Sequence, residues 1–127
     1  MPVNAQEIAA VLQLPGPQRY RHFIEKAVES RRMWGLYGDG WAMSQTPEGR
    51  QVLPLWPERE YAELCIAEEW SDHQAREIDL DAALEMMIPK LREMDILPGV
   101  FFSTEQGSIN VTLDELERDL RAELARR

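Results

Sequence analysis

The chain has 127 residues, with 14 Lys and Arg against 23 Asp and Glu, for a formal net charge of −9. A chain of this length ordinarily builds one core that buries roughly two-thirds of the surface its unfolded form exposes, so it needs no metal or disulfide to hold it. The charge repels phosphate backbones and anionic head groups, which excludes nucleic acid and membrane as expected partners, and no stretch approaches the roughly 18 consecutive apolar residues of a span.

Residues 1–16 carry neither a basic leader nor a long apolar run, and the single Cys65 cannot close an intrachain disulfide. The expected compartment is therefore the cytoplasm. Asn4 is a suitable N-cap for Ile8, Val11 and Leu12, which recur at helical spacing and predict a short helix over about 5–13. Pro15-Gly16-Pro17 ends it. Pro17 then suits the first turn of a second helix over about 17–31, with Tyr20, Phe23, Ile24, Ala27 and Val28 on one face.

The period then changes. Met33–Tyr37 and Trp41–Ser44 flank Gly38-Asp39-Gly40 and read as a hairpin, its Asp-Gly pair tolerating positive φ. A Thr46-Pro47-Glu48-Gly49 turn leads to a third strand over 52–56, completing a meander in which Pro54 implies an edge, a bulge or an outward-facing position. Pro57 opens a helix that runs to about Trp70, with Tyr61, Leu64 and Cys65 as its buried stripe. Residues 71–76 read as a polar loop and 77–80 as a short strand. Asp81 then caps a helix with Leu84, Met87, Ile88 and Leu91 inward, in which Pro89 forces a kink or restart. A second hairpin pairs 100–103 with 108–111 around a Glu105-Gln106-Gly107 turn. The last helix, about 113–125, starts at a capping box of Thr112 and Glu115, and Leu113, Leu116, Leu120 and Leu124 mark one face. Arg118, Arg121, Arg126 and Arg127 complement the dipole at its end.

This mixed order predicts an α+β fold: a mostly antiparallel sheet of two hairpin or meander units with helices packed on it. It forms one domain over 1–127, with an N-terminal helical arm at 1–15 and the core at 16–127.

Chemical motifs are scarce. The glycines at 35, 38 and 40 precede a strand rather than a helix, unlike a phosphate loop. His22, His73 and Cys65 lack metal-ligand spacing, so no metal and no cofactor is expected, and no serine sits in a nucleophile elbow. No catalytic residue is assigned. Trp34, Trp41 and Trp56 fall on adjacent predicted strands and read first as core, with one or two at the sheet margin as candidates for a binding surface.

Trp34-Gly35-Leu36, Asp39-Gly40-Trp41-Ala42, Leu53-Pro54-Leu55-Trp56-Pro57 and Tyr61-Ala62 together resemble the signature of a bacterial family of small proteins, domain of unknown function family 2750, over about positions 18–112. The resemblance implies a small cytoplasmic α+β domain and carries over no activity. The leading functional expectation is a non-enzymatic interaction module, of adaptor or immunity type, for a basic protein partner, as a monomer or homodimer. The alternative is a small-molecule binding domain in which Tyr37, Trp41 or Trp56 supplies an apolar wall and Asp39 or Glu58 a polar anchor. An enzyme ranks third, and would require His22 or His73 within hydrogen-bond reach of a carboxylate and a hydroxyl in one pocket.

Overall fold

The structure, a computed structural model, describes residues 4–103 and 107–127, with Glu69 described by its backbone. Asn4 caps α1 (Ala5–Leu12), its Oδ1 accepting from the Glu7 N–H at 2.8 Å. Pro17 lies in the first turn of α2 (Gly16–Ser30), where a missing N–H costs nothing, and Phe23, Ile24, Ala27 and Val28 are buried. Both helices match their predicted positions to within about a residue.

The strands are β1 (Arg32–Tyr37), β2 (Ser44–Gln45), β3 (Gln51–Leu55), β4 (Gln74–Asp79), β5 (Leu97–Ser103) and β6 (Gly107–Asn110). They form a two-stranded antiparallel sheet, β1-β4, and a four-stranded sheet in the order β2-β3-β5-β6. Among the described residues only β3 and β5 run parallel, with Val52 beside Leu97 and Leu55 beside Val100. Trp34 and Trp56 exchange both backbone hydrogen bonds at 2.8 Å and so join the two sheets. The fold is α+β, as expected.

The first hairpin differs from expectation. β1 takes β4 as its ladder partner, and only a Tyr37–Trp41 bridge and an Ala42 N–H to Leu36 carbonyl bond of 2.8 Å tie it to the 41–45 segment. Neither Asp39 nor Gly40 adopts positive φ, and the turn closes through the Gly38 N–H on the Gly40 carbonyl at 2.9 Å. The 46–49 turn behaves as predicted, with Gly49 at φ 91°. Pro54 sits on an internal strand, in the interval between the β2 pairing at Val52 and the Trp34 pairing at Trp56. Residues 74–76, read as loop, are strand: among the described residues β4 pairs with β1 alone, and charged side chains suit such an edge. The second hairpin forms as β5-β6, while its Glu105-Gln106 turn lies outside the described residues.

Two helices also depart from expectation. The helix predicted to reach Trp70 is only α3 (Arg59–Glu63), followed by a 3₁₀ turn, Glu68–Trp70. Leu64 is 58% exposed, so no apolar stripe extends the helix, and Trp70 instead packs on Phe102 with ring centroids 5.0 Å apart. Glu68 takes φ 52° to allow it. After β4, Asp79 rather than Asp81 provides the cap, its Oδ2 accepting from the Ala82 N–H at 3.1 Å. The helical run is α4 (Leu80–Ala82), a π-helical turn (Ala83–Met87) and α5 (Ile88–Met94). The Ile88 N–H bonds five residues back to the Ala83 carbonyl, and the helix restarts with Pro89 in its first turn. The predicted restart is thus made by a π turn, which shifts the backbone register where the proline ring would otherwise strike the preceding turn.

β1 and β3 are each buried at four successive positions, so both faces of the sheet centre are covered. The core gathers Phe23, Ile24, Met33, Leu55, Trp56, Tyr61, Ile88 and Phe101 in one cluster. α6 (Leu113–Arg126) starts at the expected capping box, both bonds 3.0 Å, and buries Leu116 and Leu120. It docks on α2, where Tyr20 donates to Asp119 at 2.7 Å and Arg21 to Glu123. Arg126 and Arg127 also reach Glu123, at 3.4 and 3.0 Å, so these C-terminal cations are spent within the fold. Burial would raise the Glu123 carboxyl, but the hydrogen bond from Arg127 and the charges of Arg126, Arg21 and Arg127 outweigh it and hold the group below the usual carboxylate range. Among the described residues no helix is long and apolar enough to cross a membrane.

Gly99 sits where β5 passes between its neighbours: a Cβ there would overlap the Val52 side chain and stand 2.8 Å from Ser108 Oγ. Gly99→Ala is expected to cost about 1–3 kcal/mol in urea unfolding. Glu123 is ionised in the fold at a pH where the unfolded chain would hold its proton, so its contribution is present above the unfolded carboxylate range and lost as pH falls through the folded pKa. Glu123→Gln therefore lowers the melting temperature at neutral pH, and the deficit shrinks in acid. Thermal melts at two pH values check it.

Candidate functional site

Gly35 in β1 leaves room for an indole. A Cβ there would come within 2.9 Å of Trp41 Cζ3, so the glycine lets the ring lie across the strand. Tyr37 meets Trp41 edge-on, centroids 5.1 Å apart at 82°. From β4, the Arg76 guanidinium covers both rings, 4.4 Å from the Tyr37 centroid and 5.8 Å from that of Trp41. His73 stands against Gly38, and its Nδ1 is buried without a partner. Tyr37, Asp39, Trp41, Asp72 and His73 thus line an open depression of about 740 Å³, with both aspartates exposed.

The other two candidates lie elsewhere. Trp56 is fully enclosed, its Nε1–H donating to the Phe102 carbonyl at 2.9 Å, so its ring presents no surface to a ligand. Cys65 donates to the same carbonyl at 3.5 Å, and burial pushes its thiol up to about 11, which leaves little thiolate for chemistry at neutral pH. Glu58 lines a second depression, of about 390 Å³, with Lys26, Trp34 and Arg59. The Arg59 guanidinium lies 4.9 Å from the Trp34 ring centroid. Glu58 Oε1 is buried and unpartnered. Burial raises its pKa against the pull of Lys26, and Glu60, Glu7 and Glu29 push the same way as burial.

Three of the five residues singled out from the sequence therefore share a site, Glu58 has another, and Trp56 belongs to the core. Sequence reasoning considered His22 only for a third-ranked enzyme and Tyr61 only as core, and passed over Lys26 and Arg76. His22 Nε2 and the Tyr61 hydroxyl are buried without partners. Burial lowers the imidazole pKa, with Lys26 adding to it, and burial likewise raises the phenol, with Glu58, Glu7 and Glu60 adding to that. The recurrence of His22, Lys26 and Glu29 at i, i+4 and i+7 along α2 is the one sequence signal that marks this stripe. No hydrogen bond joins His22 Nε2, Glu58 Oε1 and Tyr61 OH to one another, so they do not form an assembled proton relay. Among the described residues no group of three or more His, Cys, Asp or Glu comes together to hold a metal ion.

Glu58 binds its proton more tightly in the fold than in the unfolded chain, so its ionised form destabilises the protein at neutral pH, and that penalty fades as pH falls through the folded pKa. Glu58→Gln is expected to raise the melting temperature at neutral pH and to lose the advantage below about pH 4, the unfolded carboxylate range. This pH dependence is opposite in sign to that of Glu123→Gln, and the same melts read both.

None of the curated proteins matches the chain. The family model described as Protein of unknown function (DUF2750) matches residues 20–120. That span takes in β1 to β6, both depressions and most of α6. The chain belongs to the DUF2750 family.

Proposed function

We propose that the protein is an interaction module, of adaptor or immunity type, acting in the cytoplasm, and that the Tyr37–Trp41 depression receives a basic segment of its partner. The observation that carries this reading is the Arg76 guanidinium over the Tyr37 and Trp41 rings, at 4.4 and 5.8 Å. The pair offers a π surface that already accommodates a cation. Asp39 and Asp72 at the rim add negative charge where an incoming Lys or Arg arrives, and the net charge of −9 steers such a partner from a distance.

His73 Nδ1 supplies one unfilled hydrogen-bonding position in the wall. The open shape suits a protruding side chain, whereas a small molecule gains most where the greater part of its surface is enclosed. A lone buried thiol such as Cys65 is compatible with a reducing compartment.

The test is retention of a basic protein from host extract on the immobilised chain, at low and at moderate salt. The wild type is expected to retain it, more weakly as salt rises. Trp41→Ala, and the surface pair Asp39→Asn with Asp72→Asn, are expected to release it. Empty eluates at both salt levels, or equal retention by all the variants, refute the proposal.

A further inference from the structure

β4 is an outer strand: among the described residues it pairs with β1 alone, and Gln74, Arg76, Glu77 and Asp79 are exposed along it. The direction of its backbone groups follows from the bonds around it. The Leu80 N–H reaches the Arg31 carbonyl at 3.0 Å, so in the antiparallel ladder Ile78, Arg76 and Gln74 also turn their N–H and C=O groups toward β1. On β1, Trp34 and Leu36 turn theirs the other way, to Trp56 and Ala42 at 2.8 Å, as that alternation requires. The N–H and C=O groups of Ala75 and Glu77 therefore point away from β1, and no described residue bonds to them.

This open edge starts at the Tyr37–Trp41 depression, whose wall Gln74 shares with Asp72 and His73. Gln74, Arg76 and Ile78 stand on the face across which Trp41 lies, and Ala75, Glu77 and Asp79 on the other. Carboxylates outnumber cations along it. Arg76 is turned over the Tyr37 and Trp41 rings, and Glu77 meets Arg32 through Oε2 at 2.8 Å, an exposed pair of little worth. A second copy of the chain fits poorly. Outward-facing residues must oppose one another in an antiparallel pair, and the two registers of greatest overlap then set Glu77 against Glu77 or Arg76 against Arg76.

We infer that β4 receives the basic partner segment as an added antiparallel strand, its main chain bonded to Ala75 and Glu77. Lys or Arg stands beside Glu77 and Asp79 on one face of the segment. Because a strand alternates, a further Lys or Arg beside Gln74 falls on the opposite face and enters the Tyr37–Trp41 depression. The added strand presupposes the role given to that depression above, and fixes the conformation and charge spacing of what binds there.

The peptide acetyl-Lys-Val-Lys-Val-Thr-Lys-amide, whose residues run in order from Asp79 to Gln74, is the probe, titrated into the full chain. Two forms carry backbone N-methyl groups, one on the third and fifth residues, which face Glu77 and Ala75, the other on the second and fourth, which face solvent. The parent peptide is expected to bind saturably and to slow hydrogen exchange at the Ala75 and Glu77 amides, while those of Arg76 and Ile78 are protected already in the free chain. Methylation at the third and fifth residues is expected to weaken binding by about tenfold or more, and methylation at the second and fourth by no more than about twofold. Ala75→Pro removes an outward N–H without touching the β1 ladder, and is expected to weaken the parent peptide as the first methylated form does.

Equal affinity of the two methylated forms, or no slowing of exchange at Ala75 and Glu77, overturns strand addition. So does a parent peptide that fails to bind, or a free chain that is dimeric with those two amides already protected. Binding lost in Trp41→Ala but unchanged in Ala75→Pro and in both methylated forms also overturns it, and leaves the depression standing as a site for a basic side chain. If Ala75→Pro does not fold, the methylated peptides on the wild type decide alone.

Discussion

The reciprocal backbone pair between Trp34 and Trp56 governs the architecture. These two bonds, each 2.8 Å, make one continuous surface out of a two-stranded and a four-stranded sheet. Trp56 can hold that position because its indole N–H is satisfied by the Phe102 carbonyl on β5, so a large ring is buried without an orphan donor. Trp34 is held from its other side by the Arg59 guanidinium. With the junction set, β3 is enclosed along both edges and β1 is left to take β4 as its second neighbour. The sheet edge then falls on the polar β4, and the 41–45 segment, reduced to a bridge and two paired residues, carries Trp41 out to the surface.

The two interfaces of α2 show how differently charge is handled within one small fold. Toward α6, Tyr20 and Arg21 meet Asp119 and Glu123, and the buried Glu123 is surrounded by guanidinium groups that outweigh its desolvation. Toward α3, His22 and Tyr61 both stand against the Phe101 ring, and the imidazole Nε2 and the phenol hydroxyl are buried without partners. The first arrangement is closed and acts as a latch. The second leaves hydrogen-bonding capacity unused inside the protein, which stability alone would select against.

Much of the local structure was legible in the sequence because it rests on local physics. Asn4, Pro17 and the Thr112–Glu115 box act within one helical turn, and each does so where expected. Pro89 announced a disruption through its missing N–H, although not that a π turn would absorb it. Asp39 and Gly40 look like a tight hairpin turn, yet the Tyr37–Trp41 bridge is all that remains of that hairpin, because β4, remote in sequence, supplies a longer ladder. Trp70 left its helix for the same kind of reason, a ring contact with Phe102 that no window of sequence reveals.

By itself, the sequence determined the starts of the first two helices and of the last, the α+β class, the acidic net charge and the family, since these follow from spacing, composition and short-range capping. The tertiary structure alone decided which strand neighbours β1, that Trp56 is enclosed while Trp41 is not, and that His22 and Tyr61 both stand against Phe101. Such outcomes depend on contacts between residues dozens of positions apart. Alternation of apolar and polar residues specifies that a face is buried, but it does not say against what.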